Sequence, residues 1–248
     1  MQICQNRNWV VKLEDFLGKI SVLLFHQDLI VNYKLVIFDF DGTLANSFPW
    51  LLEILDELAV KFNAIPLDRS KLNEIKNYPP RKIMKMHNVP IWKLPAILKF
   101  TRSRMKTNGE SIVRFEGVDA LLKALDARNI RMALVTTNTC ETVRRVLGDD
   151  LYNLFQLFED KVSIFGKPAA LNRIARKSGL EKSEMLAIGD EIRDIDAAKK
   201  VCIPFGAVSW GFSTLESMLS RTPDHIFTEM EQILDLVDGG SGELSATA

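Results

Sequence analysis

Four short apolar runs, each ending in a small, polar or acidic residue, constrain the fold of this chain more than any other feature. They occupy residues 34–40, 132–136, 185–190 and 205–209. Apolar runs of this length are typical of parallel strands that are buried on both faces. Helical patterns alternate with them, which predicts an α/β fold with a doubly wound parallel sheet. Ligands of such sheets bind beyond the carboxyl ends of the strands, so we expect the polar residues there to converge.

A long segment between the first two runs predicts an inserted domain, because about 90 residues are too many for one crossover helix. Residues 47–114 have a helical pattern interrupted by six prolines. We therefore predict an α/β core at residues 34–46 and 115–236 with a small all-helical cap at 47–114. Residues 1–33 are an N-terminal extension whose order the sequence leaves open. The small, polar residues 237–248 are predicted to be a flexible tail.

The charge balance excludes a general nucleic-acid binder. The chain has 32 Lys and Arg residues against 32 Asp and Glu, whereas such binders usually have a basic excess. Residues 69–106 are basic, and we interpret most of them as a solvated helix face. No stretch approaches about 18 continuous apolar residues, and no signal-peptide pattern is present. We therefore expect a cytoplasmic protein with no nucleic-acid and no membrane partner; its oligomeric state stays open.

The pentapeptide Asp39-Phe40-Asp41-Gly42-Thr43 follows directly on the first apolar run. In an extended segment, residues i and i+2 point the same way, so Asp39 and Asp41 are expected to leave the strand side by side. Gly42 permits the tight turn needed there. Two close carboxylates repel one another, and a hard cation such as Mg²⁺ relieves that repulsion. The motif therefore predicts a Mg²⁺ site with Asp39 and Asp41, although a lone Asp-x-Asp is more often a simple turn.

Three further motifs lie at or near predicted strand ends. They are Thr136-Thr137-Asn138, Gly166-Lys167-Pro168 and Gly189-Asp190-Glu191-Ile192-Arg193-Asp194. Each is weak by itself, because a threonine, a lysine or an acidic helix start is usually structural. In this order, the four motifs resemble those of the haloacid dehalogenase superfamily of phosphotransferases, and specifically its phosphoglycolate-phosphatase-like branch. The resemblance covers roughly residues 34–236.

The resemblance implies a different role for each carboxylate of the first motif. Asp39 is expected to be the nucleophile that forms an aspartyl-phosphate, and Asp41 the general acid and base. The chemistry agrees, because a carboxylate attacks phosphorus only when a metal offsets the charges of both groups. An acid at position 41 favours a phosphatase or a phosphomutase over a dehalogenase.

The second and third motifs imply the residues that bind the phosphate group. The Thr136 hydroxyl is expected to bind phosphate oxygens together with neighbouring backbone N–H groups, and Thr137 is the alternative for this role. Thr137 and Asn138 are further candidate substrate-binding residues. Lys167 is expected to offset the charge of the nucleophile and of the transferring phosphoryl group.

The fourth motif implies further metal ligands. Asp190 is expected to bind Mg²⁺ directly, and Asp194 to support it or to reach a metal-bound water. Glu191 and Arg193 are interpreted as local, solvent-facing charges. Other candidate ligands and nucleophiles lack motif spacing and are interpreted as structural or incidental: His26, His87, His225 and Cys140.

The early position of the insert resembles the helical cap of the family, and we expect substrate choice to come from it. Arg81 follows two prolines and can grip a carboxylate bidentately, or it simply begins a solvated basic helix. The resemblance implies that the substrate is a small phosphate ester, with 2-phosphoglycolate as the best single guess. A phosphomutase of the β-phosphoglucomutase kind is the alternative enzyme. A phospho-acceptor signalling module and a catalytically silent binding protein are disfavoured by the inserted cap and by the intact motifs.

Overall fold

The computed structural model describes residues 32–239, so the predicted N-terminal extension and C-terminal tail lie almost entirely outside the described residues. The strands are β1 (Leu35–Phe38), β2 (Ala45–Asn46), β3 (Val113–Arg114), β4 (Arg131–Val135), β5 (Leu157–Glu159), β6 (Met185–Gly189), β7 (Phe205–Val208) and β8 (His225–Phe227). The helices are α1 (Phe48–Phe62), α2 (Leu72–Ile75), α3 (Pro80–Met86), α4 (Leu94–Asn108), α5 (Val118–Ala127), α6 (Cys140–Leu147), α7 (Asp149–Tyr152), α8 (Lys167–Ser178), α9 (Ile192–Val201), α10 (Leu215–Leu219) and α11 (Glu231–Val237). None of these helices is both long and apolar enough to cross a membrane.

Six strands form one parallel sheet in the order β5-β4-β1-β6-β7-β8. β1 lies between β4 and β6, with Val36 opposite Met132 on one side and Leu186 on the other. The four predicted runs are the four central strands, which confirms the α/β fold class. β5 and β8 have three residues each and lie at the two edges, so neither produces an apolar run in the sequence. The carboxyl ends of the parallel strands all lie along one edge of this sheet.

Helices cover both faces of the sheet, because successive strand residues point to opposite sides. In β1, Val36 and Phe38 belong to the apolar cluster that includes residues of α5, α6 and α11. Leu35 and Ile37 belong to the cluster that includes residues of α8 and α9. All four strand residues are buried. Burial on both faces explains why this strand is a continuous apolar run and not an alternating one.

A two-stranded antiparallel ribbon of β2 and β3 connects the core to the insertion, with Asn46 opposite Val113. Helices α1 to α4 lie between these two strands, which confirms the helical insertion. Trp50, in the first turn of α1, is buried, and its Nε1 donates to the carbonyl of Asn108 at 2.8 Å. Asn108 ends α4, so this bond joins the first and last helices of the cap beside the ribbon.

The core extends slightly beyond the predicted boundaries at both ends. Tyr33 is buried, and its hydroxyl lies 2.8 Å from Nε2 of His225 in β8. Asp238 follows α11 and accepts two hydrogen bonds from the Arg128 guanidinium, at 2.7 and 2.8 Å. Both contacts are made by side chains, and the apolar runs of the sequence do not reveal them.

Replacing Trp50 by Phe is expected to lower the free energy of unfolding by about 1–3 kcal/mol, because the Asn108 carbonyl loses its donor. This corresponds to a fall in melting temperature of roughly 2–10 °C, measured by scanning calorimetry. Trp92→Phe is the matched control, because Trp92 is 73% exposed and its replacement should change little. Equal losses of melting temperature in the two variants would show that the Trp50 hydrogen bond does not stabilise the junction between α1 and α4.

Candidate active site

The carboxyl end of β1 carries the first motif. Asp39 is buried, and its backbone N–H donates to the carbonyl of Ile188 in β6 at 2.9 Å. The chain then turns sharply at Gly42, which has a φ of +77°. A Cβ at Gly42 would lie 2.0 Å from Oδ2 of Asp190. Only glycine permits both this backbone conformation and the close approach of the Asp190 carboxylate.

A buried ammonium group joins two of the predicted carboxylates. Lys167 is the first residue of α8, and its Nζ lies 2.6 Å from Oδ2 of Asp39. The same Nζ donates to Oδ1 of Asp194 in α9. None of the three side chains is more than 7% exposed. Each charge is therefore stabilised by the opposite charges beside it and not by water. The fold thus brings together residues from three separate sequence motifs.

Asp190 follows β6 and is completely buried. Its Oδ1 accepts a hydrogen bond from the Thr43 hydroxyl at 3.1 Å, and its Oδ2 accepts one from the backbone N–H of Phe212 at 2.7 Å. Gly211 allows this approach, since a Cβ there would lie 2.1 Å from Cβ of Asp190. The carboxylate is therefore held in one direction by neutral donors.

Asp39, Asp190 and Asp194 each offer one carboxylate oxygen to a shared position, and these oxygens all lie within 4.8 Å of one another. Three buried, hard oxygen donors suit a hard divalent cation, so the residues present fit the predicted Mg²⁺. The Asp41 side chain lies outside this group, and the place of Asp41 among the metal-binding residues stays a prediction. The i, i+2 argument fails here because β1 ends at Phe38, before either aspartate.

The Asp41 carboxylate is directed toward the loop after β4. Its Oδ2 accepts a hydrogen bond from Nδ2 of Asn138 at 2.6 Å. Thr136 is buried, and its hydroxyl accepts from the backbone N–H of Asn138 at 3.0 Å. The carbonyl of Thr137 accepts from Nε of Arg102 in α4 at 2.7 Å. The structure therefore places the loop that carries the three predicted phosphate-binding residues against Asp41 through Asn138, with a cap residue bonded to the same loop.

Glu191 and Arg193 are not solvent-facing charges, contrary to the sequence-based interpretation. Nε of Arg193 donates to Oε2 of Glu191 at 2.8 Å, and Nη2 donates to Oε1. The two side chains are only 19% and 22% exposed. Burial raises the pKa of Asp39 and of Asp41, and the positive charge of Arg193 acts in the opposite direction.

Cap residues contact the core at the rim of the crevice. The Arg81 guanidinium stacks over the ring of Phe165, 4.8 Å from the ring centroid. Phe165 lies two residues before Lys167 in the sequence. Oδ1 of Asn77 accepts a hydrogen bond from the Thr214 hydroxyl at 2.7 Å. Arg81 is thus placed at the rim against the core, and its role toward a substrate carboxylate stays a prediction.

The two histidines that the structure describes have structural partners. Nε2 of His225 lies 2.8 Å from the Tyr33 hydroxyl, and Nδ1 of His87 lies 2.7 Å from the carbonyl of Ile65. Cys140 begins α6, and its backbone N–H donates to the Asp160 carboxylate at 3.3 Å. His26 lies outside the described residues. These positions agree with the structural interpretation of the sequence.

Burial dominates the electrostatics of the site. It raises the pKa of Asp39 to about 7, although Lys167 acts in the opposite direction. It also raises the pKa of Asp190 well above its usual range, and the charges of Glu191 and Asp39 add to this effect. Burial alone would lower the pKa of Lys167, but Asp194 and Asp39 raise it above its ordinary value. Lys167 is therefore charged at neutral pH, while the carboxylates resist ionisation in the absence of a cation.

Residues 36–208 match the model of the haloacid dehalogenase-like hydrolases. The chain belongs to this family. The resemblance inferred from the four motifs is therefore confirmed.

Two named phosphatases are similar to this chain over most of its length. The chain is 27% identical over 203 residues to a phosphoglycolate phosphatase of Synechococcus elongatus, covering 82% of this chain and 96% of the relative. It is 24% identical over 227 residues to the pyrophosphatase PpaX of Listeria innocua, covering 89% and 97%. A haloacid dehalogenase-like hydrolase of Streptococcus pneumoniae has the same fold, with a TM-score of 0.67 at 18% identity over 82% of this chain and 97% of that one.

Sequence reasoning missed three features of the site: Thr43, the 210–214 loop and the buried Arg193. Thr43 belongs to the first motif, so the sequence indicates that it lies near the site. It does not indicate the hydrogen bond from Thr43 to Asp190. The 210–214 loop binds Asp190 through a backbone N–H, which no side-chain pattern can indicate. Arg193 and Glu191 are spaced as a local ion pair, and such a pair has the same sequence whether it is exposed or buried.

Asp39→Asn is expected to stabilise the metal-free protein above about pH 7, because it removes a carboxylate that is costly to ionise. A folded-state pKa of about 7 means that Asp39 holds its proton more tightly in the folded than in the unfolded state. Its contribution to stability is therefore lost as pH rises from its ordinary pKa of 3.8 toward 7. We expect the variant's advantage in melting temperature in excess chelator to grow from about pH 5 to about pH 8.

Added Mg²⁺ supplies the matching control for this prediction. It should stabilise the wild type more at about pH 8 than at about pH 5, and stabilise Asp39→Asn less at either pH. A metal-free variant that melts below the wild type at the higher pH would contradict the proposed cost of ionising Asp39.

Proposed function

We propose that this chain is a Mg²⁺-dependent phosphatase that hydrolyses a small phosphorylated metabolite through an aspartyl-phosphate on Asp39. The observation that supports this most is the buried cluster of Asp39, Asp190 and Asp194 with Lys167, at the carboxyl edge of the sheet. Family membership supports the hydrolase class. The named phosphatase and pyrophosphatase relatives support phosphoryl chemistry.

Asp39, Asp190 and Asp194 would hold the cation. When bound, Mg²⁺ supplies positive charge that offsets the repulsion between the carboxylates and the phosphoryl group. Lys167 holds the Asp39 carboxylate in place and adds a second positive charge beside the reacting atoms. The Thr136 hydroxyl and the backbone N–H groups of the same loop bind phosphoryl oxygens.

The first step is attack by a carboxylate oxygen of Asp39 on phosphorus. The new O–P bond forms as the bond from phosphorus to the leaving oxygen breaks, and Asp41 gives its proton to that oxygen. Burial raises the pKa of Asp41, which favours the protonated form needed for this step. Asn138 fixes the direction of the Asp41 carboxyl through the 2.6 Å contact.

The second step releases phosphate. Asp41, now a carboxylate, takes a proton from a water molecule whose oxygen attacks phosphorus. The Asp39 O–P bond breaks, inorganic phosphate leaves, and the free Asp39 carboxylate is restored. The same side chain thus acts as acid and then as base, which its fixed position between the first motif and the loop after β4 supports.

For the substrate, we propose 2-phosphoglycolate, the substrate named for the relative in Synechococcus elongatus. Inorganic pyrophosphate is a second candidate, which the similarity to pyrophosphatase PpaX favours. A sugar phosphomutase reaction is the remaining alternative. Phosphate release measured over a panel of phosphorylated metabolites, pyrophosphate and hexose phosphates separates the three, because a mutase releases little phosphate from its substrate.

Asp39→Asn is expected to abolish turnover, because it removes the nucleophile while keeping nearly the same side-chain volume. Steady-state phosphate release measures the loss, and circular dichroism confirms that the variant is folded. The surface variant Asp56→Asn is the matched control and should keep full activity, since Asp56 lies on the exposed face of the cap. More than trace activity in Asp39→Asn would show that another group is the nucleophile.

Activity is expected to require Mg²⁺, because Asp39, Asp190 and the phosphate are otherwise mutually repulsive. Excess chelator should stop the reaction and Mg²⁺ should restore it. Ca²⁺ should inhibit, since its longer and more flexible coordination displaces the nucleophile. Full turnover in excess chelator would rule out the metal-dependent mechanism.

Arg81→Ala is expected to lower kcat/KM for 2-phosphoglycolate by roughly 10- to 100-fold if Arg81 grips the substrate carboxylate, the loss expected for one charge-assisted contact. Hydrolysis of p-nitrophenyl phosphate, which has no carboxylate, should fall far less. Lys85→Ala on the same helix is the control, because Lys85 is exposed. Equal losses on both substrates would instead show that the stacking of Arg81 on Phe165 matters for cap closure.

A further inference from the structure

Arg193 has a buried hydrogen-bond donor that has no acceptor among the described residues. Its Nη1 is shielded from solvent and has no hydrogen-bond partner among residues 32–239. An unpaired buried donor on a charged group is costly, and folded proteins seldom keep one without a partner. The partner of Nη1 is therefore expected to be something that binds in the site.

The direction of this donor is fixed by Glu191. Two of the three guanidinium nitrogens, Nε and Nη2, donate to the two carboxylate oxygens of Glu191. Glu191 is itself the N-cap of α9: its carbonyl accepts from the backbone N–H of Asp194 at 2.9 Å, and its own N–H donates to Oδ2 of Asp194 at 3.3 Å. Because the guanidinium is planar and rigid, fixing two nitrogens also fixes the third.

The ion pair with Glu191 argues against simple charge compensation as the role of Arg193. A cation that served only to neutralise the aspartates would be more effective without a carboxylate of its own. Here Glu191 balances the charge of Arg193, so the pair adds little net charge to the site. What the pair does supply is one unpartnered N–H held in a defined direction, on a residue that lies in the chain between Asp190 and Asp194 of the carboxylate cluster.

We propose that Nη1 of Arg193 binds an oxygen of the phosphoryl group and that Glu191 is the positioning residue that holds it there. The inference rests on the proposed phosphatase function and adds a second cationic contact to that of Lys167. Inorganic phosphate, the reaction product, is the simplest ligand with the required chemistry: a compact anion with several acceptor oxygens.

Arg193→Lys tests the proposal, because lysine keeps the charge but cannot form the fork with Glu191 or place a donor at Nη1. The dissociation constant for inorganic phosphate is measured by titration calorimetry at saturating Mg²⁺, and that for Mg²⁺ is measured separately without phosphate. We expect phosphate affinity to fall by roughly 10- to 100-fold and Mg²⁺ affinity to stay within a few-fold. Arg128→Lys is the matched control, since Arg128 forms the same two-point pair with Asp238 on the surface. It should leave both constants unchanged.

Phosphate affinity within about twofold of wild type in Arg193→Lys overturns the proposal, as does an equal loss of phosphate and Mg²⁺ affinity, which indicates a general distortion of the site. Glu191→Gln provides the second variant if the lysine variant fails to fold. It keeps Arg193 and one acceptor oxygen, so a several-fold loss of phosphate affinity is expected and no loss overturns the proposal. A wild type that neither binds phosphate nor hydrolyses any phosphate ester contradicts the proposed function itself, which is a separate outcome.

Discussion

Lys167 lies at the first position of α8, where the helix dipole disfavours a positive charge, and its side chain is also removed from water. Both costs are offset because its ammonium group lies between the carboxylates of Asp39 and Asp194. These ion pairs connect the end of β1 with the first turns of α8 and α9. Removing Lys167 would leave two buried carboxylates without a counter-charge, which is more destabilising than the absence of the whole set.

Within residues 32–239, the cost of burying the carboxylates of the site is only partly offset by neighbouring groups. Asp190 receives hydrogen bonds from Thr43 and Phe212, which are neutral donors, and burial keeps its pKa high. The charge of Arg193 is largely balanced by Glu191. A hard divalent cation is the partner that these residues fit, and its binding is expected to be coupled to the loss of protons from Asp39 and Asp190. The same charge then makes attack on an anionic phosphoryl group feasible.

The sequence was sufficient to predict the fold class, because four apolar runs correspond to the four central strands. It also predicted that Asp39, Lys167 and Asp190 meet, since polar residues at the carboxyl ends of parallel strands share one edge of the sheet. The rule that residues i and i+2 point the same way does not apply to Asp39 and Asp41, because it holds only within a strand and β1 ends before that motif. The sequence failed to predict the burial of Arg193, which depends on how α9 packs against the rest of the core. The edge strands β5 and β8 were not predicted, because three residues are too few to form a recognisable apolar pattern.

The proposed mechanism requires that Asp39, among several buried carboxylates, forms the covalent bond to phosphorus. Quenching steady-state turnover with borohydride tests it most directly, because borohydride reduces an acyl phosphate to an alcohol and so converts the aspartate that carries it into homoserine. Peptide mapping by mass spectrometry should then find homoserine at position 39, dependent on both substrate and Mg²⁺. Homoserine at position 41, 190 or 194, or sustained turnover with no reduced aspartate at all, would contradict the account.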